Sequence, residues 1–223
     1  MRVTADAAIF LDVRTNSYVG LSAEHCAALA PLVSGWPLAG GNGTFDSEGA
    51  RVVASNLEKR GLLVTEEIGG KPAVPITVTA AQDLLIAWDE MRWQHVRPRH
   101  VMRFLLAFSW GRRCVRRRRF ADVVQDVRAS VAATKSPSPD LNRIRDAISA
   151  FYHIRPFFYS YGGQCLLDSL TLFRFLSLHR ICATWVIGIR TRPFAAHTWL
   201  QYGSYVLNDT PEDILSYDPI MAI

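Results

Sequence analysis

Apolar and polar positions alternate at the start of the chain and then change period. "RVT", "AIFLD" and "SYVGL" read as strands, and Thr15-Asn16 supplies turn chemistry between the last two, which predicts a hairpin. "SAEHCAALAPLV" places apolar residues at helical spacing, with Ser22 as N-cap and Glu24 in the first turn. After Pro37 and the loop "GGNG", "DSEGARVVASNLEKRGLL" reads as two short helices, or one longer helix broken at Gly49, ending at Gly61. "LLVTEE" and "AVPITV" flank Gly69-Gly70 as a second hairpin, a wing. A hairpin, about three short helices and a wing predict a winged-helix-like domain over residues 1–80.

From there the pattern is helical. "TAAQDLLIAWDEMRWQHV" has Thr79 as N-cap and an apolar stripe of Leu84, Leu85, Trp88 and Met91, and Pro98 opens the helix "RHVMRFLLAFSW". "SPSPD" is a surface turn leading into the helix "LNRIRDAISAFYHI". One more helix runs from Cys165 to about Leu178, and strand patterns follow in "ATWVIGIR", "AAHTWLQ" and "SYVLND". Helices followed by strands predict an α+β second domain over 81–223, with a helical part, 81–155, and a core, 156–223.

Composition narrows the class. At 223 residues with 49% hydrophobic and 20% charged residues, the chain is expected to fold. No apolar run approaches the ~20 residues of a membrane span. The N-terminal apolar stretch is broken by Asp12 and Arg14, so it is not read as a signal peptide, and a cytoplasmic protein is expected. Cys26, Cys114, Cys165 and Cys182 show no metal-binding spacing, so neither a metal nor a cofactor is expected. The net charge of +5 is uneven: residues 1–80 carry six Lys/Arg and eight Asp/Glu, and the basic surface belongs to the remainder. "GRRCVRRRRF", Gly111 to Phe120, is the dense run, either a solvated helix end or loop, or a dock for an acidic partner.

One stretch suggests chemistry. In "GGQCLLDSLTLF" a cysteine follows two glycines and opens an apolar helix. A helix N-terminus favours the thiolate, and uncovered amides near it supply an oxyanion hole, with Gln164 and the Cys165 amide as candidates. The alternative is a cysteine that only packs. A nucleophile needs a base, and His197 lies in a strand pattern soon after the helix. If "HTWLQYGSYVLND" turns about Gly203, opposed residue numbers sum to 406, so Thr198 faces Asn208 and His197 faces Asp209. Opposed Cβ atoms lie ~5 Å apart, within reach of an imidazole–carboxylate hydrogen bond. A one-residue register change puts the two on opposite faces.

The stretch Cys165 to Asp209 resembles the lasso-peptide biosynthesis B proteins, through "CLLDSL", "VIGIR", "PFAAHTW" and "VLND". The hairpin "IFLDVRTNSYVGLS" resembles the precursor-recognition domain fused to that protease in one subgroup of the family. The resemblance implies a transglutaminase/papain-like cysteine protease that removes the leader of a ribosomally made precursor, working beside an ATP-dependent asparagine-synthetase-like cyclase. It implies Cys165 as nucleophile, His197 as general base and Asp209 as orienting carboxylate, with Asp213 and Asp218 as rival acids. It also implies a leader bound as an added strand along Ser17 to Leu21, at Tyr18, Val19 and Gly20, facing Val53, Asn56, Leu57 and Arg60 on a helix. Val53 and Leu57 have domain core as an equal alternative.

Two other readings stay open at this point. One is acyl transfer to an amine by the same three residues, as in transglutaminases; the other is a non-catalytic peptide-binding scaffold. Nucleic acid is not an expected partner, because the winged-helix-like part has a net charge of −2 and is poorly furnished with phosphate-neutralising cations.

Overall fold

The structure, a computed structural model, describes residues 1–3, 7–33, 36, 47–64, 76, 78, 82–83, 96–134, 140–160 and 162–223. The chain divides into two compact units, Met1–Ile76 and Thr77–Ile223.

The first unit holds an antiparallel sheet of β1 (Arg2–Val3), β2 (Ala7–Asp12) and β3 (Ser17–Ser22), in that spatial order, which leaves β3 at an edge among the described residues. The turn after β2 spans the four residues 13–16, which include the expected Thr15-Asn16. Asp12 ties it by accepting from the Arg14 N–H at 2.9 Å and the Thr15 hydroxyl at 2.8 Å, and Asn16 takes a left-handed φ of 53°. Ser22 caps α1 (Ala23–Leu29). Helix α2 (Ser47–Lys59) runs through Gly49 without a break, as one helix and not two. It closes with Gly61 at φ 65°: the Gly61 N–H reaches the Glu58 carbonyl and the Leu62 N–H reaches that of Leu57, a Schellman pair. Ala8, Phe10, Leu21, Cys26, Leu29 and Leu57 form the core. Among the described residues this unit has two helices, and most of the expected wing lies outside them.

The second unit begins, among the described residues, with β4 (Gln82–Asp83). These two residues pair in parallel with Tyr205–Val206, so the helix expected to start at Thr79 gives way at this point to a sheet-edge ladder; its remainder lies outside the described residues. Helix α3 (Pro98–Arg117) runs two turns beyond its expected end and takes in most of the basic run. Helix α4 (Phe120–Ala133), which the pattern reading missed, precedes α5 (Leu141–Ile154), capped by Asp140. A 3-10 turn (Arg155–Phe157) leads toward α6 (Cys165–Leu178).

Helix α6 is the central element. It is apolar nearly all round, and Leu170, Leu172, Phe173, Phe175 and Leu176 are buried, because α3 packs on it and β6 lies against it. Gly111 permits the α3 approach: a Cβ there would lie 2.7 Å from the Thr171 hydroxyl. The strands β5 (Thr184–Thr191), β6 (Phe194–Tyr202), β7 (Tyr205–Val206) and β8 (Asp218–Ala222) complete a sheet in the order β4-β7-β6-β5-β8. The short helix α7 (Pro211–Ile214) and β8 were not expected; β8 contains Pro219 and pairs with β5 across a register shift, which hides its alternation.

Candidate active site

The chain places Cys165 as the first residue of α6. Gly163 takes φ 72° just before it, a conformation that suits glycine, and Gln164 occupies the cap position without a capping side-chain bond. The first turn of α6 has N–H groups with no partner within the helix, and the Leu166 N–H points to the Cys165 sulfur, as does the Thr198 N–H from β6. The third donor is His197. Its Nε2 is bound to Asp209 Oδ2, which leaves Nδ1 for the sulfur. Asp209 is 7% exposed, and its other oxygen accepts from the Thr210 N–H at 2.9 Å. The structure therefore brings Cys165, His197 and Asp209 into one hydrogen-bonded series. Asp213 is engaged by Thr210 instead, and Asp218 begins β8.

The expected register was wrong by one, although the pair it predicted is made. Gln201 faces Val206 and Tyr202 faces Tyr205, so opposed numbers sum to 407 around a two-residue Gly203-Ser204 turn. The paired strand ends at Val206, with one further bond in the same register from the Leu207 N–H to the Leu200 carbonyl at 2.9 Å. The chain then bends through 209, and Asn208 Oδ1 accepts from the Leu200 N–H at 2.8 Å. That bend frees Asp209 from the alternation of the strand and turns its carboxylate to His197. Gly188 lies directly opposite His197 on β5, and a Cβ there would meet the Trp199 ring at 2.7 Å and Tyr217 at 2.9 Å. Trp199 and Tyr217 flank the imidazole, with ring centroids at 6.1 and 5.1 Å.

Beneath the series lies a network that the pattern reading did not find. Asp168, one turn along α6, is fully buried and accepts from Arg155 at 3.2 Å, Tyr159 at 2.9 Å and Asn208 at 3.2 Å. Asn208 thus joins the nucleophile helix to the segment carrying Asp209. The signal in the sequence was the acid inside the otherwise apolar "CLLDSL", which only a partnered carboxylate tolerates.

The electrostatics separate Cys165 from the other cysteines. Burial pushes the Cys26, Cys114 and Cys182 thiols up, whereas the His197 hydrogen bond pulls Cys165 down against its own burial. Burial opposes a charged His197, yet hydrogen bonds to Asp209 and Cys165, and the charge on both, lift it to about 9. Because that value exceeds 6.5, the ion pair stabilises the fold fully below pH 6.5, and this contribution is lost as pH rises through about 9.

Alkylation of Cys165 by iodoacetamide is therefore expected to be rapid already near pH 6.5, while half-buried Cys182 reacts appreciably only above its ordinary range. Asp209→Asn removes a support of the imidazolium and should abolish that neutral-pH reactivity. Mass-spectrometric rates for the two peptides across pH 5–10 check this; parallel profiles for both thiols would contradict it.

The other expected site residues are less uniform. Gln164 is exposed beside Cys165 and lines the same cleft of about 590 Å³. In the first unit Tyr18 and Val19 are half-buried and Gly20 exposed on the edge strand β3; Val53 is half-buried against the core, Asn56 is exposed on α2, and Arg60 is exposed just past its end. Leu57 is 3% exposed within the core, so it has no surface for a peptide; it packs against the sheet instead.

A thiol at the N-terminus of a buried helix, with its imidazole and carboxylate partners on and just beyond antiparallel strands of the sheet, defines a papain- or transglutaminase-like arrangement. Residues 102–222, more than half of the chain, match the family described as the transglutaminase-like superfamily, and the chain belongs to it. It is also similar to the microcin J25-processing protein McjB of Escherichia coli, at 39% identity over 64 residues. That match covers 29% of this chain and 29% of the relative. No solved structure matches.

Proposed function

We propose that the protein is a cysteine endopeptidase that removes the leader from a ribosomally made lasso-peptide precursor. The observation that carries this reading is the Cys165–His197–Asp209 series at the α6 N-terminus. Membership of the superfamily and a relative named for microcin J25 processing support it. The Cys165 thiolate attacks the scissile carbonyl, and amides of the first turn of α6 receive the developing oxyanion. His197 then gives its proton to the departing amine, which is the core peptide. Water, deprotonated by the same ring, releases the leader as a carboxylic acid.

The first unit is the winged-helix-like leader-recognition domain in this reading. Its β3 edge, open among the described residues, supplies main-chain hydrogen bonds to an added leader strand, and Val53, Asn56 and Arg60 offer side-chain contacts. An ATP-dependent cyclase takes the released core, in the cytoplasm. Among the described residues no helix is long and apolar enough to cross a membrane.

The precursor encoded beside this gene, incubated with the protein with and without the neighbouring cyclase, provides the test. Two fragments whose masses sum to the precursor plus one water are expected, and Gly20→Pro on the β3 edge should raise the KM about tenfold with little change in kcat. Capture of an added amine in place of water would identify an acyl transferase. An uncut precursor that is still bound would identify a scaffold.

A further inference from the structure

The basic run is divided by its surroundings. Arg118 is paired with Asp126, and Arg113, Arg117 and Arg119 lie away from the cleft that contains Cys165. Arg112 and Arg116 line that cleft, one helical turn apart on the same face of α3. Among the described residues neither has an ion-pair partner. Two like charges at this spacing repel one another, so the arrangement alone is slightly unfavourable. The opposite wall is the N-terminal turn of α6, whose free amides add to the positive field. Phe108 and Tyr159, stacked at 5.5 Å and 9°, give the cleft an apolar floor. A concave, partly apolar site with unpaired guanidinium groups concentrates anions, and the planar fork of arginine suits a carboxylate.

We infer that Arg112 and Arg116 form a subsite for an acidic side chain, Asp or Glu, of the peptide presented to Cys165. The inference rests on the peptidase reading. It assigns the basic run a substrate role at two positions and leaves the remaining arginines to solvent and Asp126. An acidic residue close to the scissile bond would be held by the α3 wall while the bond lies over the sulfur.

Two reagents differing by one charge test this on the full chain: N-iodoacetyl-glutamic acid α-amide and its glutamine counterpart. In each, the sulfur forms a bond to the methylene carbon and iodide leaves, so no cleavage is required. Mass spectrometry of the Cys165 peptide gives the rates. At low salt the wild type is expected to react about five to ten times faster with the glutamate reagent. In the Arg112→Gln/Arg116→Gln double variant, and in 0.5 M NaCl, the ratio should fall to within about twofold. Both side chains are exposed and Gln keeps the helix propensity, so the variant should fold, with its iodoacetamide rate as control. An equal glutamate preference in the double variant would overturn the subsite, because His197 and the α6 amides would then account for it. No preference in the wild type would overturn it as well. A Cys165 inert to both reagents would instead remove the peptidase reading, and the subsite with it.

Discussion

Replacing Cys165 with Ala is expected to abolish precursor cleavage, by at least about 10^4-fold in kcat, with leader affinity unchanged. The size follows from the division of labour in the site. His197 and Asp209 remain in Cys165→Ala and still hold each other, but the ring has no thiol to deprotonate and no acyl-enzyme forms. The leader-binding edge is assigned to a different unit, so KM should not rise. The measurement is precursor consumption and fragment masses under single-turnover conditions, with leader binding followed in parallel. Wild-type cleavage by the variant would show that the sulfur packs and does not react. His197→Ala should fall in the same range, and the double variant should lose no more than either single change, because residues acting as a unit are not additive.

The second large effect concerns stability. Asp168→Ala is expected to destabilise the second unit by about 3–5 kcal/mol, because removing one partner of a buried ion pair strands the other. Arg155 would be that stranded charge, with its side chain only 11% exposed. Tyr159 and Asn208 would lose acceptors as well. Burial itself pushes the Asp168 carboxyl up, and Arg155 and the two hydrogen-bond donors work against that shift. Asp168→Asn keeps an acceptor of the same shape but not the charge, so a loss about half as large is expected. Urea midpoints for the two variants check the order, together with melting temperatures, which should fall by about 10 °C for the alanine change. Equal midpoints for wild type and Asp168→Ala would mean that the network is not a source of stability.

Asp168→Asn also separates positioning from folding. With one acceptor oxygen kept for Arg155 and Tyr159, the second that Asn208 used is gone, which should release Asn208 and with it the bend that carries Asp209. In folded Asp168→Asn protein, Cys165 should then lose part of its neutral-pH alkylation rate, an effect that a purely structural role would not produce.

The local elements were legible because local physics decides them. Helix α6 begins and ends as expected, since two glycines and Gln164 precede an unbroken apolar run, and β5 and β6 follow from β-branched and aromatic alternation. Ser22 and Asp140 cap the helices they precede for the same reason. The three side chains that the structure brings together were also named from the sequence, as a thiol at a helix start, a histidine in the next strands and an acid placed opposite it in the hairpin.

What the sequence could not contain is pairing at a distance. A two-residue turn or a turn about one glycine differ by a single register step, and β7 takes the two-residue form while pairing with β6 on one side and β4 on the other. The resulting register alone would have separated His197 from Asp209. Asn208 reverses that outcome by leaving the ladder to serve Leu200 and Asp168, contacts that span 8 and 40 residues. Pairing of Gln82–Asp83 with β7 and of β8 with β5 likewise draws on partners far along the chain, which no periodicity signals. The sequence by itself determined which helix begins with a thiol and which side chains are chemically able to act. Only the tertiary structure decided that the three meet, and that two of the six arginines from Arg112 to Arg119 line the cleft beside Cys165, because register, bends and the facing of helices are set by long-range packing rather than by neighbours in sequence.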